Sequence, residues 1–99
     1  MAALTIVYWR DIPAQVIVGK GRRGAKVQLP ERFEQAIDRA AMKTGAAGTD
    51  EYLAEWRKVP TETDLAGTDM EIAQAQAELL DQEYDQDRIK ALIAGDGWA

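Results

Sequence analysis

The strand patterns of this sequence lie in one stretch, residues 4–29, which reads LTIVYWRDIPAQVIVGKGRRGAKVQL. Residues 4–9 are mostly β-branched or aromatic, which is typical of a well-covered strand. Pro13 interrupts the run, because proline has no N–H to donate to a sheet. Residues 15–18 and 26–29 follow as two further short strand patterns. The stretch therefore predicts three antiparallel strands joined by short turns.

Downstream of the strands, the apolar spacing changes to that of helices. Pro30 suits the first position of a helix, and Gly45 suits its left-handed end. The apolar residues between them recur at helical spacing and should face the sheet: Phe33, Ala36, Ile37, Ala40 and Ala41. A short second helix is predicted to carry Tyr52, Leu53 and Trp56 on one side, with Trp56 in the core, and Pro60 should end it. Residues 60–67 are expected to form a linker.

A third helix is predicted from about Asp69, because Thr68 and Glu71 have the spacing of a capping box. Its apolar stripe is expected to contain Met70, Ala73, Ala77, Leu80 and Tyr84. Around residues 85–87 this helix should bend or restart, and Gly95 should stop it.

The 99 residues are enough for one domain with one core. We predict an α+β fold, a three-stranded antiparallel β-meander followed by three or four helices packed on one face. The single domain spans residues 1–99, with the meander at about 3–29, the helical part at about 30–95 and a C-terminal tail at 96–99.

The composition excludes several mechanisms, because the chain contains neither His nor Cys. Without them there is no imidazole base, no thiolate nucleophile and no His/Cys zinc site. We predict no catalytic residues, no metal site and no cofactor, which favours a non-catalytic module over an enzyme. The missing Cys, the lack of a long apolar run and the lack of a secretory signal predict a cytoplasmic location without a membrane span.

Charge is distributed unevenly along the chain, whose net charge is −5. Residues 1–43 carry eight bases and four acids, whereas residues 44–99 carry four bases and thirteen acids. Two interpretations stay open: the acidic half solvates two surface helices, or a basic, anion-facing edge lies against an acidic body. A polyanion would be repelled by the thirteen acids, so nucleic acid is an unlikely partner.

Residues 19–24 read GKGRRG and match the glycine spacing of dinucleotide-binding loops. The surrounding sequence does not fit a dinucleotide-binding loop, because such a loop is followed by a helix, whereas a strand pattern follows the third glycine here. Two interpretations stay open, a solvated hairpin loop or a contact with an anion or phosphate through loop amides and basic side chains. The candidate anion-binding residues are Lys20, Gly21, Arg22, Arg23 and Lys26.

Three further residues are candidates for contact with a protein partner, namely Trp9, Arg10 and Trp98. Tyr8 and Trp9 are neighbours on one strand and should point to opposite faces. Trp98 lies beyond the last helix stop, where it either folds back as a plug over the core or is presented to a partner.

Several segments together resemble a small bacterial family named only "virulence factor". They are YWRDIPAQV at residues 8–16, GR at 21–22, KVQLPERF at 26–33, AIDRAA at 36–41, YLAEWR at 52–57 and RIKALI at 88–93. The same module resembles the C-terminal part of conserved virulence factor C proteins. This resemblance implies a bacterial cytoplasmic domain with no assigned reaction, and an accessory role near one-carbon and corrinoid methyl transfer.

We therefore expect a non-catalytic interaction or accessory module with a protein partner. The alternatives are an anion-binding module that uses the basic hairpin, and an accessory subunit of one-carbon metabolism.

Overall fold

The structure is a computed structural model that describes residues 2–19, 24–45, 48 and 50–99. Its elements follow in the order β1 (Ala2–Trp9), β2 (Ile12–Val18), β3 (Ala25–Gln28), α1 (Glu31–Thr44), α2 (Asp50–Ala54), β4 (Trp56–Thr63), α3 (Asp69–Glu83) and α4 (Gln86–Ala94). In the described part of the chain, no helix is both long and apolar enough to cross a membrane.

The four strands form one antiparallel sheet in the order β3-β2-β1-β4. The α+β class and the consecutive pairing of β1, β2 and β3 are confirmed. The prediction of three strands is wrong, because β4 pairs with β1 along its whole length, from Ala2 opposite Thr63 to Trp9 opposite Trp56. The helical part of the chain is therefore interrupted by a strand.

The second predicted helix and the linker after it are both corrected by β4. The helix α2 ends at Ala54, and Trp56 begins a strand instead of extending the helix. Pro60 does not stop this strand, because it lies opposite Thr5 in an edge strand, where its missing N–H can face away from β1. The backbone of β1 thus forms hydrogen bonds with β4 that the local sequence pattern of residues 56–63 does not predict.

The strand β2 also begins earlier than predicted, at Ile12, and contains Pro13. Only Gln15 to Val18 pair with β3, so Pro13 lies in a part of β2 that has no partner on that side. The register with β1 shifts between Val7 and Tyr8, which leaves Ala14 as an extra residue in β2.

The two faces of the sheet differ in burial. One face carries buried Leu4, Ile6, Val16 and Val18, and α3 packs over it against β2 and β3. The opposite face carries two rows whose side chains are all half-buried or exposed. From β3 to β4 these rows are Lys26, Ile17, Thr5 and Pro60, and Gln28, Gln15, Val7 and Lys58. We call this surface the open face.

Most local helix signals are confirmed. Every residue of the predicted α1 stripe is buried, and Gly45 ends the helix in the left-handed conformation with φ of 75°. Thr68 and Glu71 form the expected capping box. The predicted restart is real, because Asp85 caps α4 through a bond from the backbone N–H of Arg88.

The predicted α3 stripe needs one change. Ala73, Ala77, Leu80 and Tyr84 are buried as expected, whereas Met70 is exposed and Ile72 is buried in its place. Met70 lies in the first turn of the helix and is 45% exposed, so the buried stripe begins at Ile72.

Truncation of Phe33 should be costly. Its side chain is 1% exposed and its ring packs edge-on against Tyr84, with 6.2 Å between the centroids. We expect Phe33→Ala to lower the free energy of unfolding by about 3–5 kcal/mol, measured by urea denaturation. Glu34→Ala, at an exposed position of the same helix, should change it by less than about 0.5 kcal/mol. A larger loss from Glu34→Ala would contradict this orientation of α1.

Candidate functional site

The three predicted partner-binding residues meet at one end of the sheet. The guanidinium carbon of Arg10 lies 4.8 Å from the ring centroid of Trp9 and 5.4 Å from that of Trp98. Gly97 allows this approach, because a Cβ at its position would lie 3.0 Å from the Trp9 ring. The C-terminal tail is thereby attached to the β1–β2 turn through a tryptophan–arginine stack.

Arg10 is held by hydrogen bonds as well as by the two rings. Its Nη1 donates to the backbone oxygen of Asp96 at 2.6 Å, and its Nη2 lies 3.4 Å from Oε1 of Glu51. Arg10 is 5% exposed and has a positive φ of 54°, so neighbouring groups hold both its side chain and its strained backbone.

Asp11 forms a second link to the tail. Its Oδ2 accepts a bond from the backbone N–H of Ala99 at 2.7 Å, and its Oδ1 accepts one from Arg57 at 2.9 Å. The bond from Ala99 is the main reason that the pKa of Asp11 is lowered; Arg57 acts in the same direction, while partial burial opposes both.

The three predicted partner-binding residues differ in how accessible they are to a partner. Trp9 is fully buried and its Nε1 donates to the backbone oxygen of Tyr52, so with Arg10 it secures the tail. Trp98 folds back onto Arg10, and 44% of its surface remains exposed. Of the three, only Trp98 has a large accessible surface, and its contact with a partner stays a prediction.

Most of the predicted anion site falls outside the described residues, namely Lys20, Gly21, Arg22 and Arg23. Lys26 is described and is exposed on β3. At the base of the hairpin the Asp69 carboxylate lies close to Gly19, where a Cβ would come within 2.7 Å of Oδ2. An acid at this position works against anion binding at the base, and the site itself stays a prediction.

A cavity of about 200 Å³ lies at the end of the open face, where β4 begins. Tyr52 and Trp56 form two walls at right angles, with an interplanar angle of 88° and 6.0 Å between ring centroids. The carboxylates of Glu34 and Asp38 reach it from α1. The remaining lining residues are Val7, Ala14, Gln15, Gln28, Leu29 and Ile37. We call this cavity the Trp56 pocket.

Burial is the main reason that the pKa of Tyr52 is raised. The Asp38 carboxylate adds to the increase and Glu34 adds less, whereas a hydrogen bond with Trp56 acts in the opposite direction. The tyrosine hydroxyl therefore lies within the field of both acids.

A larger groove of about 380 Å³ runs between α1 and α4. Each helix contributes a face with spacing i, i+3, i+4 and i+7, so the two faces run along opposite walls. From α1 these are Arg32, Gln35, Ala36 and Arg39, and from α4 they are Gln86, Ile89, Lys90 and Ile93. We call this cavity the helical groove.

The helical groove combines an apolar floor with a basic rim. Ala36 and Ile89 are buried and Ile93 is half-buried, while Arg39 and Lys90 are exposed on either side of them. Among the described residues, no carboxylate forms an ion pair with Arg39 or Lys90.

Two acids near the helical groove, Asp81 and Asp85, have partners of their own. Asp81 holds Arg32, whose Nη2 lies 2.6 Å from Oδ1 of that carboxylate. Asp85, which lines the groove, accepts the bond that caps α4. Three cations line the groove, namely Arg32, Arg39 and Lys90, against one lining acid, Asp85, although the chain as a whole is acidic.

Sequence reasoning did not identify either cavity. The helical groove had a weak signal, because Arg32 and Arg39 are seven positions apart on one side of α1 and recur on a single face. No sequence signal indicated the Trp56 pocket, because its walls come from strands and helices that are distant in sequence. Within the described residues no group of three or more acidic side chains is placed to hold a metal ion.

Attachment of the tail should depend on pH. Because the pKa of Asp11 is lower in the folded protein, its stabilisation is complete above the ordinary carboxyl range and is lost as the pH falls below about 4. We expect the indole N–H resonance of Trp98 to move as the pH falls below about 4, with that of Trp56 as an internal reference for the fold.

In Asp11→Asn the tail should already be loosened at neutral pH, and the separate movement of the Trp98 resonance in acid should be absent. Asp87→Asn, at an exposed position of α4, is the matched control and should behave as the wild type. Identical Trp98 titrations in Asp11→Asn and the wild type would contradict the assignment.

Comparison with known proteins identifies a family but no individual relative. No curated protein and no solved structure matches the chain. The family model described as "Virulence factor" matches residues 7–93, which include β2, β3, β4, α1, α2 and α3 in full and α4 except for its last residue, Ala94. The chain therefore belongs to the virulence factor family.

Proposed function

We propose that this protein is a non-catalytic interaction module that binds an acidic, amphipathic helix of a partner protein in the helical groove. The observation that carries the proposal is the pairing of an apolar floor, Ile89 and Ile93, with a rim of two cations, Arg39 and Lys90, that have no acidic partner among the described residues.

The shape of the groove favours a helix as the occupant. Grooves between two packed helices accept the apolar face of a third, with anchors at helical spacing. The nine residues of α4 extend over roughly 13 Å, which corresponds to two or three turns of a bound helix.

Charge favours an acidic partner. Acidic side chains beside the apolar anchors of the bound helix would face Arg39 on one wall and Lys90 on the other. Because both cations are exposed to solvent, the attraction should be screened by salt. A contact of this length is at the small end of protein interfaces, so we expect an exchangeable complex.

Charge reversal in the groove tests the proposal. We expect Arg39→Glu with Lys90→Glu to abolish recovery of the partner from the native cytoplasm, measured by affinity purification and quantitative mass spectrometry. Both positions are exposed, so the free energy of unfolding should change by less than about 0.5 kcal/mol each.

Lys26→Glu with Lys58→Glu is the matched control, because it makes the same change of charge on the open face. The control should retain the partner, and a synthetic peptide of the partner's acidic helix should bind wild type and control more weakly as salt increases. Loss of the partner in the control but not in the groove variant would overturn the proposal and favour the open face.

The two other functions predicted from the sequence stay predictions. Anion binding by the hairpin depends on Lys20, Gly21, Arg22 and Arg23, which lie outside the described residues. A role in one-carbon or corrinoid methyl transfer rests on the family resemblance alone.

A further inference from the structure

The Trp56 pocket stands apart from the other aromatic groups of the protein. The chain has seven aromatic side chains, and five of them have the guanidinium of an arginine over the ring, at 3.9–5.4 Å from the centroid. These five are Tyr8, Trp9, Phe33, Tyr84 and Trp98. Among the described residues no cation lies over the remaining two, Tyr52 and Trp56, which are the walls of the pocket.

The acids beside these two rings also lack a cation. Glu34 and Asp38 are one helical turn apart, and among the described residues neither forms an ion pair. Like charges at this spacing repel each other, so a cation between them would stabilise the helix.

We propose that the Trp56 pocket binds a guanidinium group from outside the chain, with the planar cation against the Trp56 and Tyr52 rings and its N–H groups directed to Glu34 and Asp38. The group can be the side chain of an arginine in a peptide or the head of a free alkylguanidine. The site does not depend on the proposed function, because it shares no residue with the helical groove.

The lining selects guanidinium over ammonium. A guanidinium is flat, is weakly hydrated and has five donors in a fixed plane, so it can stack on a ring and bond to acceptors at its edge. Such acceptors are present in number, because the side chains of Gln15 and Gln28 add carboxamide oxygens to the two carboxylates. The volume of about 200 Å³ leaves room for the head and part of its alkyl stem.

Titration with small probes tests the site directly. We expect butylguanidinium chloride to shift the indole N–H resonance of Trp56 saturably and to leave that of Trp98 unchanged. Butylammonium should bind several times more weakly, and the neutral isostere butylurea should not bind. An acetylated and amidated Gly-Arg-Gly peptide distinguishes the two sources: tighter binding than butylguanidinium identifies a peptide ligand, and weaker binding identifies a free alkylguanidine.

Removal of the carboxylates is the decisive variant. Glu34→Gln with Asp38→Asn should weaken butylguanidinium binding by about tenfold or more. Glu78→Gln with Asp87→Asn is the matched control, because it removes the same charge from exposed positions on other helices, and its affinity should equal that of the wild type. The absence of a saturable Trp56 shift, equal binding of butylurea, or equal loss in both variants would overturn the proposal.

Discussion

The antiparallel ladder between β1 and β4 joins the start of the chain to a segment that follows two helices. It places β1 in the interior of the sheet, with β2 on its other side, so that hydrogen bonds are available to the most apolar strand on both edges. It also sets Trp56 opposite Trp9. Without this ladder α2 would have no strand to lie against, and the Trp56 pocket would lose one wall.

The two faces of the resulting sheet differ, because one packs on the core and the other keeps exposed side chains. On one side α3 packs against β2 and β3, and the aliphatic side chains of that face form the core together with residues of α1, α3 and α4. The other side keeps exposed polar and basic side chains, such as Lys26 and Lys58, at its edge strands. Charged side chains on edge strands, together with Pro60, discourage pairing with another sheet.

Two arginine side chains join elements that are distant in sequence. Arg10 joins the tail to the β1–β2 turn, and Arg32 joins α1 to the end of α3 through Asp81. Each also lies over an aromatic ring, so it contributes both packing and hydrogen bonding. In the described part of the chain, Arg39 and Lys90 of the helical groove form no ion pair, and no cation lies over the rings of the Trp56 pocket, which is why we propose ligands for both.

Elements whose hydrogen bonds close within a few residues could be predicted from the sequence alone. The capping box of Thr68 and Glu71, the buried stripe through Phe33 and the left-handed end at Gly45 are all local, and each was predictable. The tertiary structure alone decided that residues 56–63 form a strand, because their partners in β1 are far away in sequence and Pro60 suggests an ending when read locally. Neither cavity could be predicted from the sequence, because a cavity depends on which side chains meet across different elements. Hydrophobic periodicity indicates only which side of a single element is buried.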